Sequence, residues 1–322
     1  MTLFGQYLAR LPAALGAEAP NAPIRLIVRG LRGCGTFMAA FRVADDVLPL
    51  VPDLVLIEFA HNDGTSDAVV EIGRSVDAMI ARIRQVNPAC EFAFVYLAPA
   101  GTAAGGPTAA MRAYERTADY YGTPSFDLAS LSEQLVAAKT VSWTGDGAPA
   151  LTSDGIHHTA LAEDVLGAPF AAAFVRLLCA SGSLPETAPR PVRDRSLSGA
   201  WRAPASRYLG TGSWAVGFPH NHDGRNAQAY EDEVAEALAP EATLVVPFEG
   251  ARLLMWAVGS GTIRWNFEGR PGHEVLDIRS GRWQIHSITA SPPVGRHVLR
   301  VTVMAAPIVF GDIYVVGPPL LW

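Results

Sequence analysis

The rhythm of apolar and polar positions changes near residue 180. Before that point, strand-like apolar runs alternate with amphipathic stretches. Leu3, Tyr7, Leu8, Leu11 and Leu15 fall on one helical face, which predicts a helix over Leu3–Leu15. Ile24–Arg29 is a short β-branched run ending at glycines, and Asp53–Phe59 is apolar almost throughout. The second pattern is that of a strand covered on both faces of a parallel sheet. An amphipathic helix is predicted over Ala68–Val86, a strand over Glu91–Tyr96 and a helix from about Thr108 to Tyr121. A short strand near Pro124–Asp127 and a long apolar helix over Ala160–Cys179 follow. Strands separated by helices predict a doubly wound parallel α/β sheet, with ligands beyond the carboxyl ends of its strands.

Residues 181 to 200 are rich in Pro, Ser and Arg and read as a connection. Beyond them Thr243–Phe248, Arg252–Val258, Thr262–Phe267, His297–Met304 and Ile308–Val316 are short strands divided by glycine or proline turns. Strands without intervening helices predict a β-sandwich or jelly roll. The expected organisation is an α/β domain over 1–185, a linker over 186–200 and an accessory β-domain over 201–322.

Composition narrows the classes of function. Of the 322 residues, 49% are hydrophobic and 17% charged, so the chain has material for real cores. The net charge is −6, with Lys139 the one lysine, which argues against nucleic-acid partners. No run of about 18 apolar residues predicts a membrane span. Cys34, Cys90 and Cys179 have neither metal nor disulfide-framework spacing. With no leader-like start at Met1, the sequence as it stands reads as cytoplasmic.

Three clusters sit where strands are expected to end. Gly30-Leu31-Arg32-Gly33-Cys34-Gly35-Thr36 can aim backbone N–H groups at an anion, though a plain glycine turn has the same composition. His61-Asn62-Asp63-Gly64 offers an asparagine amide to a developing oxyanion, or is simply an Asn-Asp-Gly turn. In Ser153-Asp154-Gly155-Ile156-His157-His158, a carboxylate three residues from an imidazole can orient the ring as a general base. The same spacing also suits a capping aspartate beside a surface histidine. In the second half, His220-Asn221-His222-Asp223 could bind a metal but reads equally as a polar loop. Trp214, Trp256, Trp265 and Trp283 could form a sugar platform, although aromatics in a sandwich are more often core. No metal and no cofactor is expected.

Taken together, the three clusters resemble the SGNH (GDSL-like) hydrolase family over residues 1 to about 180. Ile27–Leu48 followed by PDLVLIEFAHND is similar to its second and third conserved blocks, and SDGIHH to its last. The resemblance implies a flavodoxin-like three-layer sheet and an ester hydrolase without cofactor. It also implies His157 as general base, Asp154 as its orienting carboxylate, and Gly33 and Asn62 as oxyanion donors. Val28 and Ala60 depart from residues common in the family without removing a donor. The first block, Gly-Asp-Ser at the end of a first strand, has no counterpart before the Leu3–Leu15 helix, so no nucleophile is expected in this chain. Thr2 sits beside that helix, and Phe310-Gly311-Asp312-Ile313 has isoleucine where a serine would stand.

The functional expectation is therefore a carbohydrate or acyl esterase acting on a small or glycan ester by a Ser-His-Asp mechanism. The alternative is an inactive homologue that binds a carbohydrate or a protein. Without a first strand, Ile24–Arg29 and Asp53–Phe59 are expected to pair directly, since buried unpaired strand edges are costly.

Overall fold

The computed structural model describes residues 8, 10–18, 24–30, 34–63, 69–180, 190–194, 196–197, 199–217, 233–250, 252–288 and 295–317. The chain divides into two compact units, Met1–Asp194 and Arg195–Trp322.

In the first unit, α1 (Leu11–Glu18) and α2 (Thr36–Asp46) precede β1 (Leu54–Ile57), and α3 is a single turn (Ala60–Asp63). There follow α4 (Val69–Val86), β2 (Glu91–Tyr96), α5 (Ala109–Tyr121), β3 (Ser125–Asp127), α6 (Leu128–Ala137) and α7 (Ala168–Ala180). The three strands form a parallel sheet in the order β1-β2-β3. The alternation of side chains along β2 shows why it is central. Ala93 and Val95, with Leu97 beyond the strand, enter the core that Leu11 of α1, Leu128 of α6 and Phe170 and Phe174 of α7 share. Phe94 and Tyr96 face the other way, their rings 5.7 and 6.0 Å from that of Tyr114 in α5. Helices thus cover both faces, which is why this strand reads as continuously apolar.

The expected Ile24–Arg29 strand does not form. Residues 24–30 carry no regular structure, and Ile24, Leu26 and Val28 are 45%, 39% and 40% exposed. Among the described residues β1 pairs only with β2, so its expected direct pairing with this segment is also absent. The chain that leaves residues 24–30 feeds α2, which packs on α4 and is tied at its first residue to Asp63. Direct pairing would require that anchored helix to move toward the sheet.

Residues 190–194, placed by the sequence in a linker, are fastened to the first unit. The Arg193 guanidinium meets Asp77 of α4 at 3.0 Å and Thr117 of α5 at 3.2 Å, and lies over the Tyr120 ring at 5.4 Å. Tyr120 donates to the Pro191 carbonyl, Arg84 to that of Arg190, and Asp194 pairs with Arg74. Asp77 is fully buried, and its carboxyl is raised above the ordinary range by burial, which outweighs the opposing bonds from Tyr121 and Arg193.

The second unit is antiparallel, its main path running β5-β6-β11-β8-β10-β7. The path comprises β5 (Trp214–Gly217), β6 (Val234–Ala237), β7 (Thr243–Glu249), β8 (Arg252–Phe267), β10 (Arg296–Ala305) and β11 (Ile308–Val316). Two further strands, β4 (Ala200–Pro204) and β9 (Glu274–Ser287), pair with β11 and β8. Two strands expected over 252–267 are one, because Gly259 and Gly261 do not turn the chain. A Cβ on Gly259 would lie 2.5 Å from the Pro307 carbonyl, and one on Gly261 2.1 Å from that of Ala305. These glycines let β8 pass close under the turn that joins β10 to β11.

Trp256 and Trp265 are buried, and Trp214 packs on the same core, with its ring 6.0 Å from that of Phe310. The sugar-platform reading therefore fails for Trp256 and Trp265, while the Trp283 side chain lies outside the described residues, as does His220-Asn221-His222-Asp223. Phe310-Gly311-Asp312-Ile313 is interior strand, with Asp312 held by Arg202 at 2.8 Å.

Arg193→Ala should leave Asp77 buried beside its remaining partner, at a cost on the order of 3 kcal/mol. Thermal unfolding should move down by roughly 5–10 °C, with part of the loss recovered by adding Asp77→Asn. A shift within about 1 °C would show that residues 190–194 add nothing to the stability of the first unit.

Candidate active site

The centre of the site is a buried carboxylate. Asp63 ends the α3 turn directly after β1, and both its oxygens face the start of α2. It accepts the Thr36 backbone N–H at 3.0 Å, the Thr36 hydroxyl at 2.8 Å and the Tyr114 hydroxyl at 2.5 Å. A carboxylate at a helix N-terminus satisfies N–H groups that the helix leaves open. Gly35 makes the approach possible, since a Cβ there would stand 2.1 Å from Asp63 Oδ1. Burial and the neighbouring Asp63 hold the Tyr114 phenol far above its ordinary range, so Tyr114 is a neutral donor.

This anchor brings the first two clusters together. Asn62 donates one amide N–H to the Cys34 carbonyl at 2.7 Å. An amide nitrogen carries two N–H groups, so a second remains for another acceptor. Gly33 lies outside the described residues. Burial pushes the Cys34 thiol up to about 12, which keeps it protonated and makes it a poor nucleophile.

The third cluster is a closed turn. Asp154 Oδ1 accepts the backbone N–H groups of Ile156 at 3.0 Å and His157 at 2.8 Å. Its Oδ2 lies 2.7 Å from His157 Nδ1. One carboxylate therefore fixes both the backbone and the ring of His157, and among the described residues Nε2 has no hydrogen bond. Those bonds, those to His157 foremost, hold the Asp154 carboxyl down at about 2 although it is solvent-exposed. Thr152 and Ser153 close the loop, accepting Gly155 N–H at 3.0 Å and donating to the His157 carbonyl at 2.8 Å. Gly155 has φ +83°, a conformation that side chains other than glycine's rarely adopt, and its carbonyl accepts from Ala100 after β2 at 2.8 Å.

The two turns are electrostatic neighbours. Burial lowers the His61 ring to about 4, helped by repulsion from His158 and His157 and opposed by Asp154. Burial above all, then His157, lowers His158 to about 4 as well. Both rings are uncharged at neutral pH. The roles of Asp63, Thr36, Gly35 and Tyr114 are not visible in their own segments. Asp63 has only the local signature of a turn, and Tyr114 is 51 positions away from it.

The family of GDSL-like lipases and acylhydrolases is the one whose sequence model matches this chain, over residues 2–165. Among solved structures, a two-domain esterase active on acetylated mannans is similar in fold. Its TM-score is 0.73 at 14% identity, covering 98% of this chain and 86% of that one. The same esterase co-crystallised with mannopentaose gives a TM-score of 0.70 at 14% identity with the same coverage. No curated protein sequence matches the chain.

His61 and His158 also shape stability. Their folded values lie below the ordinary 6.5, so between about pH 4 and 6.5 the unfolded chain binds more protons and stability rises with pH. Lowering the pH across that window should cost up to about 1 kcal/mol per unit for each ring. Urea midpoints measured from pH 7 to 4 should fall, and His158→Asn should flatten the slope. An unchanged slope in that variant would show that His158 is already charged or exposed.

Proposed function

Because the chain belongs to the GDSL-like lipase/acylhydrolase family, we propose that it is an esterase removing acyl groups, acetyl foremost, from glycans. The observation that carries the reading is the His157–Asp154 pair, with Nδ1 engaged and, among the described residues, no hydrogen bond at Nε2. In this mechanism His157 Nε2 takes the proton of an attacking serine hydroxyl while the serine oxygen bonds to the acyl carbonyl carbon. Charge collects on the carbonyl oxygen, where the second Asn62 N–H and the Gly33 backbone N–H donate to it. Collapse breaks the bond to the sugar oxygen, which leaves with the proton from His157. Water then repeats the sequence on the acyl-enzyme, releasing the carboxylic acid and restoring the serine.

The attacking serine corresponds to the Gly-Asp-Ser block of the family, at the end of a strand beside β1. Half-burial of Leu54, Val55 and Leu56 in a strand paired on one edge supports that assignment. The glycan substrate is supported by likeness in fold to the esterase active on acetylated mannans. A second reading, an inactive homologue that binds glycan, is favoured by one observation. Among the described residues no hydroxyl bonds the His157 ring, and Ser153 Oγ reaches only the His157 carbonyl, at 3.3 Å.

The 322-residue chain should release little acetate from acetylated mannan or p-nitrophenyl acetate. A version extended upstream by a strand ending in Gly-Asp-Ser should turn over. In that version Asn62→Ala should lower kcat by about 10²–10³-fold, and His157→Ala should lower it further. Turnover by the 322-residue chain that survives His157→Ala would remove this histidine from the mechanism. Acetate release absent from both versions, with mannan still bound, would favour the inactive homologue.

A further inference from the structure

The turn that carries Asp154 and His157 faces solvent, with those side chains 51% and 38% exposed. An exposed turn needs a tie to the core if it is to hold a side chain in one place. Of residues 152–158, Thr152 alone is buried, at 1% exposure. It sits at the base of the turn, opposite His158 in an antiparallel bridge. Thr159 closes the same base, its backbone N–H donating to the Leu151 carbonyl at 2.9 Å and its hydroxyl to that of Ala150 at 2.7 Å.

The Thr152 hydroxyl works in both directions. It donates to the Trp143 carbonyl at 2.5 Å and accepts the Gly155 N–H at 3.0 Å. The Thr152 backbone N–H donates to the same Trp143 carbonyl at 3.0 Å. Trp143 in turn packs against the core that contains Leu151, Leu166 and Phe170. A continuous path therefore runs from that core through Trp143 and one hydroxyl to Gly155. Gly155 directly follows Asp154, whose Oδ1 takes the Ile156 and His157 N–H groups and whose Oδ2 meets the His157 ring. A carboxylate could only accept at this point and an ammonium only donate, whereas a hydroxyl does both.

We propose that Thr152 is a positioning residue for His157, its hydroxyl pinning the Asp154–His157 turn to the Trp143 backbone. The proposal rests on the reading of His157 as the general base. Thr152 acts through the Gly155 N–H and not on the ring itself. A base whose position is fixed before the substrate arrives spares the reaction the cost of ordering it.

The test needs no turnover and uses the 322-residue chain. Thr152→Val keeps the shape of the side chain but removes both hydroxyl bonds, and Thr152→Ser keeps them. Thr117→Val is the control. Its hydroxyl is equally buried, donates to the Ala113 carbonyl at 3.0 Å and accepts from Arg193 at 3.2 Å, but it belongs to α5. In Thr152→Val the Ile156 and His157 backbone N–H groups should exchange with solvent roughly tenfold faster, as loss of a buried hydroxyl with two partners implies. The ¹⁵N shifts of the His157 ring should move toward a mixture of the two neutral tautomers as its bond to Asp154 loosens. Thr152→Ser should restore both signals, and Thr117→Val should leave them in place even where it lowers the unfolding temperature as much.

Unchanged exchange in Thr152→Val would overturn the proposal, as would equal changes in Thr117→Val. Faster exchange with the ring shifts unmoved would overturn it too, because the hydroxyl would then hold the backbone and not the base. If Thr152→Val does not fold, the unaltered chain decides. Its Thr152 hydroxyl proton should be sheltered from solvent exchange and show a cross-peak to the Gly155 N–H, and a freely exchanging hydroxyl would contradict the proposal. Failure of ester hydrolysis would leave all these signals as they are, so the two readings fail separately.

Discussion

The candidate site depends on one buried carboxylate. Asp63 gathers the N-terminus of α2, the Thr36 hydroxyl and the Tyr114 hydroxyl of α5 onto the turn that ends β1. Without it, the start of α2 and the His61-Asn62 turn would share only the bond from Asn62 to the Cys34 carbonyl. With it, Asn62 reaches the Cys34 carbonyl and keeps a second amide N–H for another acceptor. A charged acceptor with three donors in a water-poor pocket is a rigid joint. Catalysis of acyl transfer depends on donors that are fixed before the charge appears.

That joint also accounts for the edge of the sheet. With α2 fastened at Thr36, residues 24–30 ahead of it carry no regular structure, and among the described residues β1 pairs only with β2. The exposed Ile24, Leu26 and Val28 and the half-buried face of β1 follow from that placement. Residues 190–194 fasten a second surface of the same layer, where Arg193 meets Asp77 between α4 and α5.

Much of this was legible in the sequence, for a physical reason that differs from part to part. Glu91–Tyr96 shows as a strand, and the structure has the same bounds, because both of its faces are covered and Phe92–Tyr96 is apolar without interruption. The Thr108 cap and Gly122 likewise mark the two ends of α5. Ile24–Arg29 has the composition of a strand but no partner to pair with, and composition carries no information about partners. Gly259 and Gly261 look like turns because sequence cannot separate a glycine needed for bending from one needed for close approach. The pairing of Asp154 with His157 was readable from a spacing of three, whereas Tyr114 belongs to the site through tertiary contact alone.

The central claim is that Asp154 sets His157 to act as a base through Nε2. The most direct measurement is the ¹⁵N chemical shift of the two His157 ring nitrogens at a pH where the ring is neutral. The account predicts a protonated Nδ1, donating to Asp154, and a bare Nε2, with the Nδ1–H preference lost in Asp154→Ala. A neutral ring with its proton on Nε2, or tautomer populations unchanged by Asp154→Ala, would contradict it.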